Sequence, residues 1–255
     1  MENVNPDRPQ RKNEDGLLLL ERHLADLRKS GLTDQQIAAC GFYSESHPAK
    51  LAALLGGRTT PKSPARYGAC LVLPYFNIDG TPMGYSRLKP DKPRNDGQKK
   101  DKPVKYESPA GRPNRAYFPP GTRSALADPA VPLVVTEGEK KSAAADQHGF
   151  PCIGLSGVWA WQVNRSKGKD GRGTGTRRLL PDLQAVAWKG RSVFVAFDSD
   201  IADKPEVRWA EWHLCEALRE AGADVRVVRL PGADDGSKVG LDDYLLAHSP
   251  AELRD

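Results

Sequence analysis

No apolar run in this chain approaches the ~18 residues that a bilayer-spanning helix requires, and its first 16 residues are nearly free of apolar side chains. Neither a membrane span nor a secretory leader is expected, so the sequence points to a soluble, cytoplasmic protein with no membrane partner. Cysteine is scarce: Cys40, Cys70, Cys152 and Cys215 lie far apart, none in CxxC spacing, and only Cys215 has a histidine close by, His213. Such spacing argues against a zinc site and against a disulfide framework. The five histidines are equally scattered and read as surface or packing residues rather than ligands or bases.

What the chain has instead is carboxylate, lysine and arginine. At 255 residues it can build one large domain or two small ones. A net charge of +5 and a pI near 9.0 favour an anionic partner, with the placement of the charge mattering more than its sum.

Two stretches organise the rest: LVVTEGEKKS at residues 133–142 and RSVFVAFDSD at residues 191–200. Each is a short β-branched or apolar run that stops at acids, the pattern of a buried parallel strand giving way to a loop. The spacing predicts a strand over 133–136, a helix over 139–147 ended by Gly149, and a strand over 193–197. Glu137 then lies on a turn, and Asp198 and Asp200, two positions apart on an extended chain, project to one side. Ligands gather at the carboxyl ends of strands in open α/β sheets, so the three acids meet if the two strands are neighbours. An all-oxygen donor set without His or Cys suits Mg²⁺ or Mn²⁺. Spacing alone also allows these acids to be turn formers or helix caps.

The arrangement resembles the Toprim domain, which carries a Glu after its first strand and an Asp-x-Asp after its third. VVTEGE at 134–139, IGLSGVWAW at 153–161 and the acidic loop with short helix RLPGADDGSKVGLDDYL at 229–245 resemble the primase branch most closely. The resemblance implies a mostly parallel α/β sheet flanked by helices. It also implies Glu137, Asp198 and Asp200 as catalytic and metal-holding residues, with one further acid after the last strand. Of Asp234, Asp235, Asp242 and Asp243, the first two lie nearest the strand end and are taken as the candidates.

In chain order, residues 1–16 are charged and expected to be disordered. Residues 17–65 read as helical, with Leu17, Leu20, Leu24 and Leu27 at helical spacing. Residues 66–128 read as a basic, β-rich subdomain with a hairpin turning at Asp79-Gly80, and residues 129–255 as the Toprim-like domain. Between Arg87 and Arg123 there are 11 Lys or Arg against 4 Asp or Glu, a local net of +7. Interleaved Tyr85, Tyr106, Tyr117 and Phe118 would offer faces for bases to stack on, which makes single-stranded nucleic acid a natural partner. Primases of the bacterial type carry here a DG-x-x-x-G-x-x-R turn, matched by Asp79 to Arg87, and a KY-x-x-S-P motif, which KYESP at Lys105 to Pro109 resembles with one residue fewer. By resemblance Arg87 and Lys105 would contact template or triphosphates, with Lys89, Tyr106, Arg115, Lys140, Lys141 and Lys238 as further nucleic-acid- or nucleotide-binding groups. A second basic loop, residues 164–178, has six Lys or Arg, one Asp and four Gly. Val207, Ala210, Leu214 and Leu218 mark an amphipathic helix on which Trp209 and Trp212 read as packing groups.

The function implied is metal-dependent, template-directed joining of nucleoside triphosphates into short primers on single-stranded DNA in plasmid or phage replication, alongside a helicase or other replication protein. A Toprim phosphodiesterase using the same acids, and a non-catalytic single-strand-binding adaptor, stay open beside it. The zinc domain and the module beyond Toprim that such primases carry have no counterpart in the motifs here, so the chain is expected to be a fragment or a reduced form.

Overall fold

The computed structural model describes residues 9–12, 18–57, 64–95, 103–166, 168 and 173–253. The rest of the tail expected to be disordered, and parts of both basic loops, lie outside the described residues. The chain divides into two compact units, one of residues 1–29, 33–76 and 81–112, the other of residues 30–32, 77–80 and 113–255.

The first unit opens with β1 (Pro9–Lys12) paired antiparallel to β2 (Leu18–Leu20), followed by helix α1 (Glu21–Lys29). Four residues of the expected disordered tail are thus a strand, and the helical reading from Leu17 begins too early. Four consecutive leucines have no 3.6-residue period, so pairing with β1 decides the conformation of Leu18 to Leu20. Helix α2 (Asp34–Ala39) is capped by Thr33, whose hydroxyl accepts from the Gln36 N–H at 3.2 Å. Next come β3 (Tyr43–Glu45), α3 (Pro48–Leu54), β4 (Cys70–Phe76) and β5 (Pro82–Pro90). Strands β3, β4 and β5 form an antiparallel sheet in that order. Leu51, Tyr67, Cys70, Val72 and Leu88 make a core beneath it. The KYESP segment, 105–109, is added beside β5, where Leu88 and Glu107 exchange backbone hydrogen bonds of 2.9 and 2.8 Å.

The second unit is a five-stranded, mainly parallel sheet flanked by helices. Its elements are β6 (Ala116–Tyr117), α4 (Pro120–Ala125), β7 (Leu133–Glu137), α5 (Glu139–Gln147), β8 (Cys152–Leu155), α6 (Pro181–Gln184), β9 (Ser192–Phe197), α7 (Pro205–Glu220), β10 (Asp224–Arg229) and α8 (Leu241–Ala247). The order is β10-β9-β7-β8-β6, with only β6 antiparallel. Strands β7 and β8 are almost wholly buried, as a central parallel strand must be when both faces are covered. On one face Val134 and Ala196 pack with Ala145 of α5 and with Leu241 and Leu245 of α8. The small side chains of α5 let that helix lie close to the sheet.

Arg191, one residue before β9, is completely buried. Its guanidinium donates to the carbonyls of Ala187 (2.7 Å), Ala125 (3.1 Å), Leu126 (3.0 Å) and Val131 (2.9 Å). One side chain therefore satisfies the carboxyl end of α4, the approach to β7 and the turn before β9 together.

The aromatic expectations reverse. Tyr85, Tyr117 and Phe118, expected to offer stacking faces, are core residues no more than 5% exposed, whereas Trp209 and Trp212, expected to pack, are 55% and 50% exposed. Among the described residues no helix is long and apolar enough to cross a membrane.

Candidate functional site

Strands β7 and β9 are adjacent, Leu133 opposite Val193 and Val135 opposite Val195. The Thr136 hydroxyl donates to the Ala196 carbonyl at 2.7 Å and locks their ends together. Both strands run the same way, so Glu137, the last residue of β7, and Asp198, the first beyond β9, reach one edge of the sheet. The chain turns at Gly138, whose φ of +104° is open to glycine and strained for other residues. Helix α5 starts at once with Glu139.

Asp198 is the centre of the cluster. It is 7% exposed and holds two ammonium groups, Lys141 on one carboxylate oxygen and Lys238 on the other at 2.6 Å. Lys141 comes from α5; Lys238 comes from the loop after β10. That loop is pinned by Ser199, whose N–H donates to the Val239 carbonyl at 3.0 Å while its hydroxyl accepts from the Val239 N–H at 2.9 Å. Asp200 pairs with Lys204 one turn further on.

Burial works against the charge of Asp198, but Lys141 and Lys238 more than offset it and hold the carboxyl below its ordinary range. Burial likewise disfavours the Lys238 ammonium, yet its hydrogen bond to Asp198 and the charges of Asp198, Asp200 and Glu137 raise its pKa. The three acids singled out in the sequence thus act on one cation. A folded-state pKa below the unfolded one, about 3.9, means that Asp198 stabilises the fold above that value and that this stabilisation is lost as pH falls through the lower folded value. Comparing urea midpoints from about pH 5 downward, wild type should lose stability more steeply than Asp198→Asn; parallel curves would show that the pairing is not made in solution.

Asp234 and Asp235 face solvent, and Asp235 accepts the Ser237 N–H at 2.8 Å in a local turn. Asp243 closes the start of α8 by accepting the Gly240 N–H at 2.9 Å. Asp242, which spacing could not single out, turns inward: it is 7% exposed and its Oδ1 makes no hydrogen bond. It lies beside the cluster, since a Cβ on Gly240 would stand 2.8 Å from this oxygen and 2.7 Å from Lys141 Cε. Asp242 begins the LDDYL helix, and an acid in a first turn whose neighbour already caps the helix was the available signal.

Among the described residues no three His, Cys, Asp or Glu side chains form a ready-made metal cage. The donor chemistry nevertheless fits a hard divalent cation. Asp198 and Asp200 already turn their oxygens onto positive charge, and a buried carboxylate oxygen of Asp242 is left over.

The proposed nucleic-acid-binding residues divide. Lys141 and Lys238 belong to the acid cluster, and Lys140 is half-buried beside them on α5. Arg115 spends its guanidinium on Asp182 through two hydrogen bonds of 2.7 Å. In the first unit Arg87 lies over the Tyr106 ring, 4.8 Å from its centroid, and Lys105 next to it is exposed. Lys89 pairs with Asp26 at 2.6 Å. The apolar cavity lined by Val131, Phe150, Phe194 and Leu253 includes none of these groups.

The fold is that of primase catalytic cores. The chain is similar to the Aquifex aeolicus primase, zinc-binding and RNA polymerase domains, with a TM-score of 0.60 and 13% identity, covering 92% of this chain and 54% of that one. It is similar to a DnaG primase catalytic domain bound to ssDNA, with a TM-score of 0.58 and 15% identity over 92% of this chain and 72% of the other. The RNA polymerase domain of Mycobacterium tuberculosis primase matches with a TM-score of 0.55 and 13% identity over 91% and 74%. An uncharacterized protein of Picosynechococcus sp. is 27% identical over 191 residues, 65% of this chain but only 19% of that relative's length. Residues 123–252, 130 of the chain's 255, match the model described as a domain of unknown function (DUF3854). That stretch contains every acid of the cluster, and the chain belongs to this family.

Proposed function

We propose that the chain is a Toprim-type nucleotidyltransferase that joins nucleoside triphosphates into short primers on a single-stranded DNA template. The observation that carries this reading is the placement of Glu137 and Asp198, with Asp200 two residues on, at the carboxyl ends of the adjacent parallel strands of a primase-type sheet. Glu137, Asp198 and Asp200, with Asp242 in place of the solvent-facing Asp234 and Asp235, would hold Mg²⁺ or Mn²⁺. Such an ion supplies positive charge to phosphate oxygens during nucleotidyl transfer.

The chain's own residues account for the rest. Asp198 keeps its charge because two lysines neutralise it, so its oxygens stay available as acceptors at neutral pH. Lys141 and Lys238 are the counter-cations of the resting site, and both carry the charge that a triphosphate needs once Asp198 has another partner. Glu137, at the mouth of the turn, accepts the proton of an attacking 3′-hydroxyl. In the other unit the exposed Lys105 offers charge and the half-buried Tyr106 a ring to a template, with the buried Arg87 packed over that ring. Plasmid or phage replication beside a helicase is the setting that goes with this reading.

The test incubates the purified chain with single-stranded DNA, labelled ribonucleotides and Mn²⁺ or Mg²⁺, and resolves new oligomers and template on one gel. Short products that require Asp200 support the reading. Shortened template without new products replaces it with a phosphodiesterase acting through the same acids, and binding with neither change leaves an adaptor.

A further inference from the structure

The two exposed tryptophans belong to a built surface. Trp209 and Trp212 stack with ring centroids 5.2 Å apart and planes 14° apart. His213 meets both edge-on at 4.7 and 4.8 Å, and Trp159 adds a fourth ring 5.8 Å from His213. The Arg177 guanidinium covers Trp159 at 4.5 Å and donates to a neutral partner, Gln162, at 3.0 Å. Arg165 is close enough that its charge, after burial, depresses Arg177, and both arginines act on His213 in the same way.

We infer that this cluster, Trp159, Trp209, Trp212 and His213 with Arg165 and Arg177, is a second binding station for single-stranded DNA, on which bases stack while the arginines meet the backbone. It deepens the primase reading, for which it gives the template a foothold outside the acid cluster. Three observations favour this occupant over a protein. Half of each indole of the Trp209–Trp212 pair is open to solvent, and ring faces bind bases whatever their sequence. The charge beside the rings is cationic: among the described residues Arg165 and Arg177 lie there, and the nearby acid Glu216 is paired with Arg219 at 2.8 Å. Finally, Trp159 follows β8 and Trp209 lies near the start of α7, so both project from elements that leave the sheet edge where Glu137 and Asp198 end. A strand seated on the rings is delivered toward the acids.

The experiment measures anisotropy of a short labelled oligodeoxythymidine titrated with the full chain, without metal or nucleotide. The Trp209→Ala/Trp212→Ala variant should bind at least about tenfold more weakly, the loss expected when base–ring stacking is removed. Trp209→Phe/Trp212→Phe keeps two rings and should recover most of that loss. Arg177→Gln should make binding less dependent on salt, by about one ion in the slope. Because both tryptophans lie on the solvent side of α7, thermal midpoints should stay with wild type. Equal affinity of wild type and the double alanine variant overturns the inference, and the surface then falls to a protein partner; absence of binding by wild type overturns it as well. Tryptophan-dependent binding without any primer synthesis would instead sink the primase reading and leave this surface standing.

Discussion

Replacing Asp200 with asparagine should cut primer synthesis on single-stranded DNA by about a thousandfold, the equivalent of about 4 kcal/mol of transition-state stabilisation. Asp200 is the acid to choose because its loss spares the fold. Its side chain is 27% exposed, and the Lys204 ammonium it pairs with is 46% exposed and remains hydrated without it. Asp198→Asn is less informative, because two lysines would be left around a buried amide. The measurement compares initial rates at saturating template and the urea midpoint of each protein. Activity within a few-fold of wild type, with unchanged midpoint, would remove the acid cluster from the chemistry. Glu137→Gln should behave like Asp200→Asn, since Glu137 acts on the same lysine.

The second large effect is on stability. Arg191→Ala should destabilise the chain by about 3–5 kcal/mol in urea unfolding, the scale expected when buried acceptors are orphaned and a large buried side chain is lost. Four carbonyls lose the guanidinium at once; Ala125 and Leu126 keep the backbone N–H groups of Asp128 and Ala187, and each acceptor left orphaned costs about 1–3 kcal/mol unless water reaches it. Arg191→Lys should recover little, because an ammonium cannot serve a fan of acceptors with the guanidinium's planar spread. A loss below about 1 kcal/mol for the alanine variant would mean that water replaces the side chain, as a cavity opened to solvent permits. Arg191 immediately precedes the strand that ends at Asp198, so the fraction of chain that stays folded should also set the fraction that is active.

Much of this site is legible in the sequence because a buried parallel strand leaves a plain signature. Runs such as LVVTE and SVFVAF have no polar face, and their ends at Glu137 and Asp198 mark the sheet edge. The boundaries of α5 are equally clear, since Glu139 follows a glycine turn and Gly149 stops it. Partnership is not legible in this way. Lys141 and Lys238 read as phosphate ligands, and only the fold shows that they first serve Asp198, one from a helix 57 positions earlier and one from a loop 40 positions later. The aromatic residues reversed for a related reason. Tyr85 and Tyr117 lie in strands whose outer faces are themselves covered, which no local pattern reveals. Trp209 and Trp212 were within reach: they are three apart, and neither falls on the Val207, Ala210, Leu214, Leu218 stripe that faces the core. The leucine run had no period to read, and a strand partner six to eleven residues upstream settled Leu18 to Leu20.

The pairing of β7 with β9 also governs when the acid cluster is assembled during folding. Leu133 meets Val193 only after β8, α6 and a long loop have been accommodated between them, and parallel contacts so distant along the chain form late and at high entropic cost. Local collapse can form α5 or the β4–β5 hairpin, but it cannot bring Glu137 to Asp198. A nascent or partly unfolded chain therefore lacks the acid cluster, which is assembled only with the closed sheet.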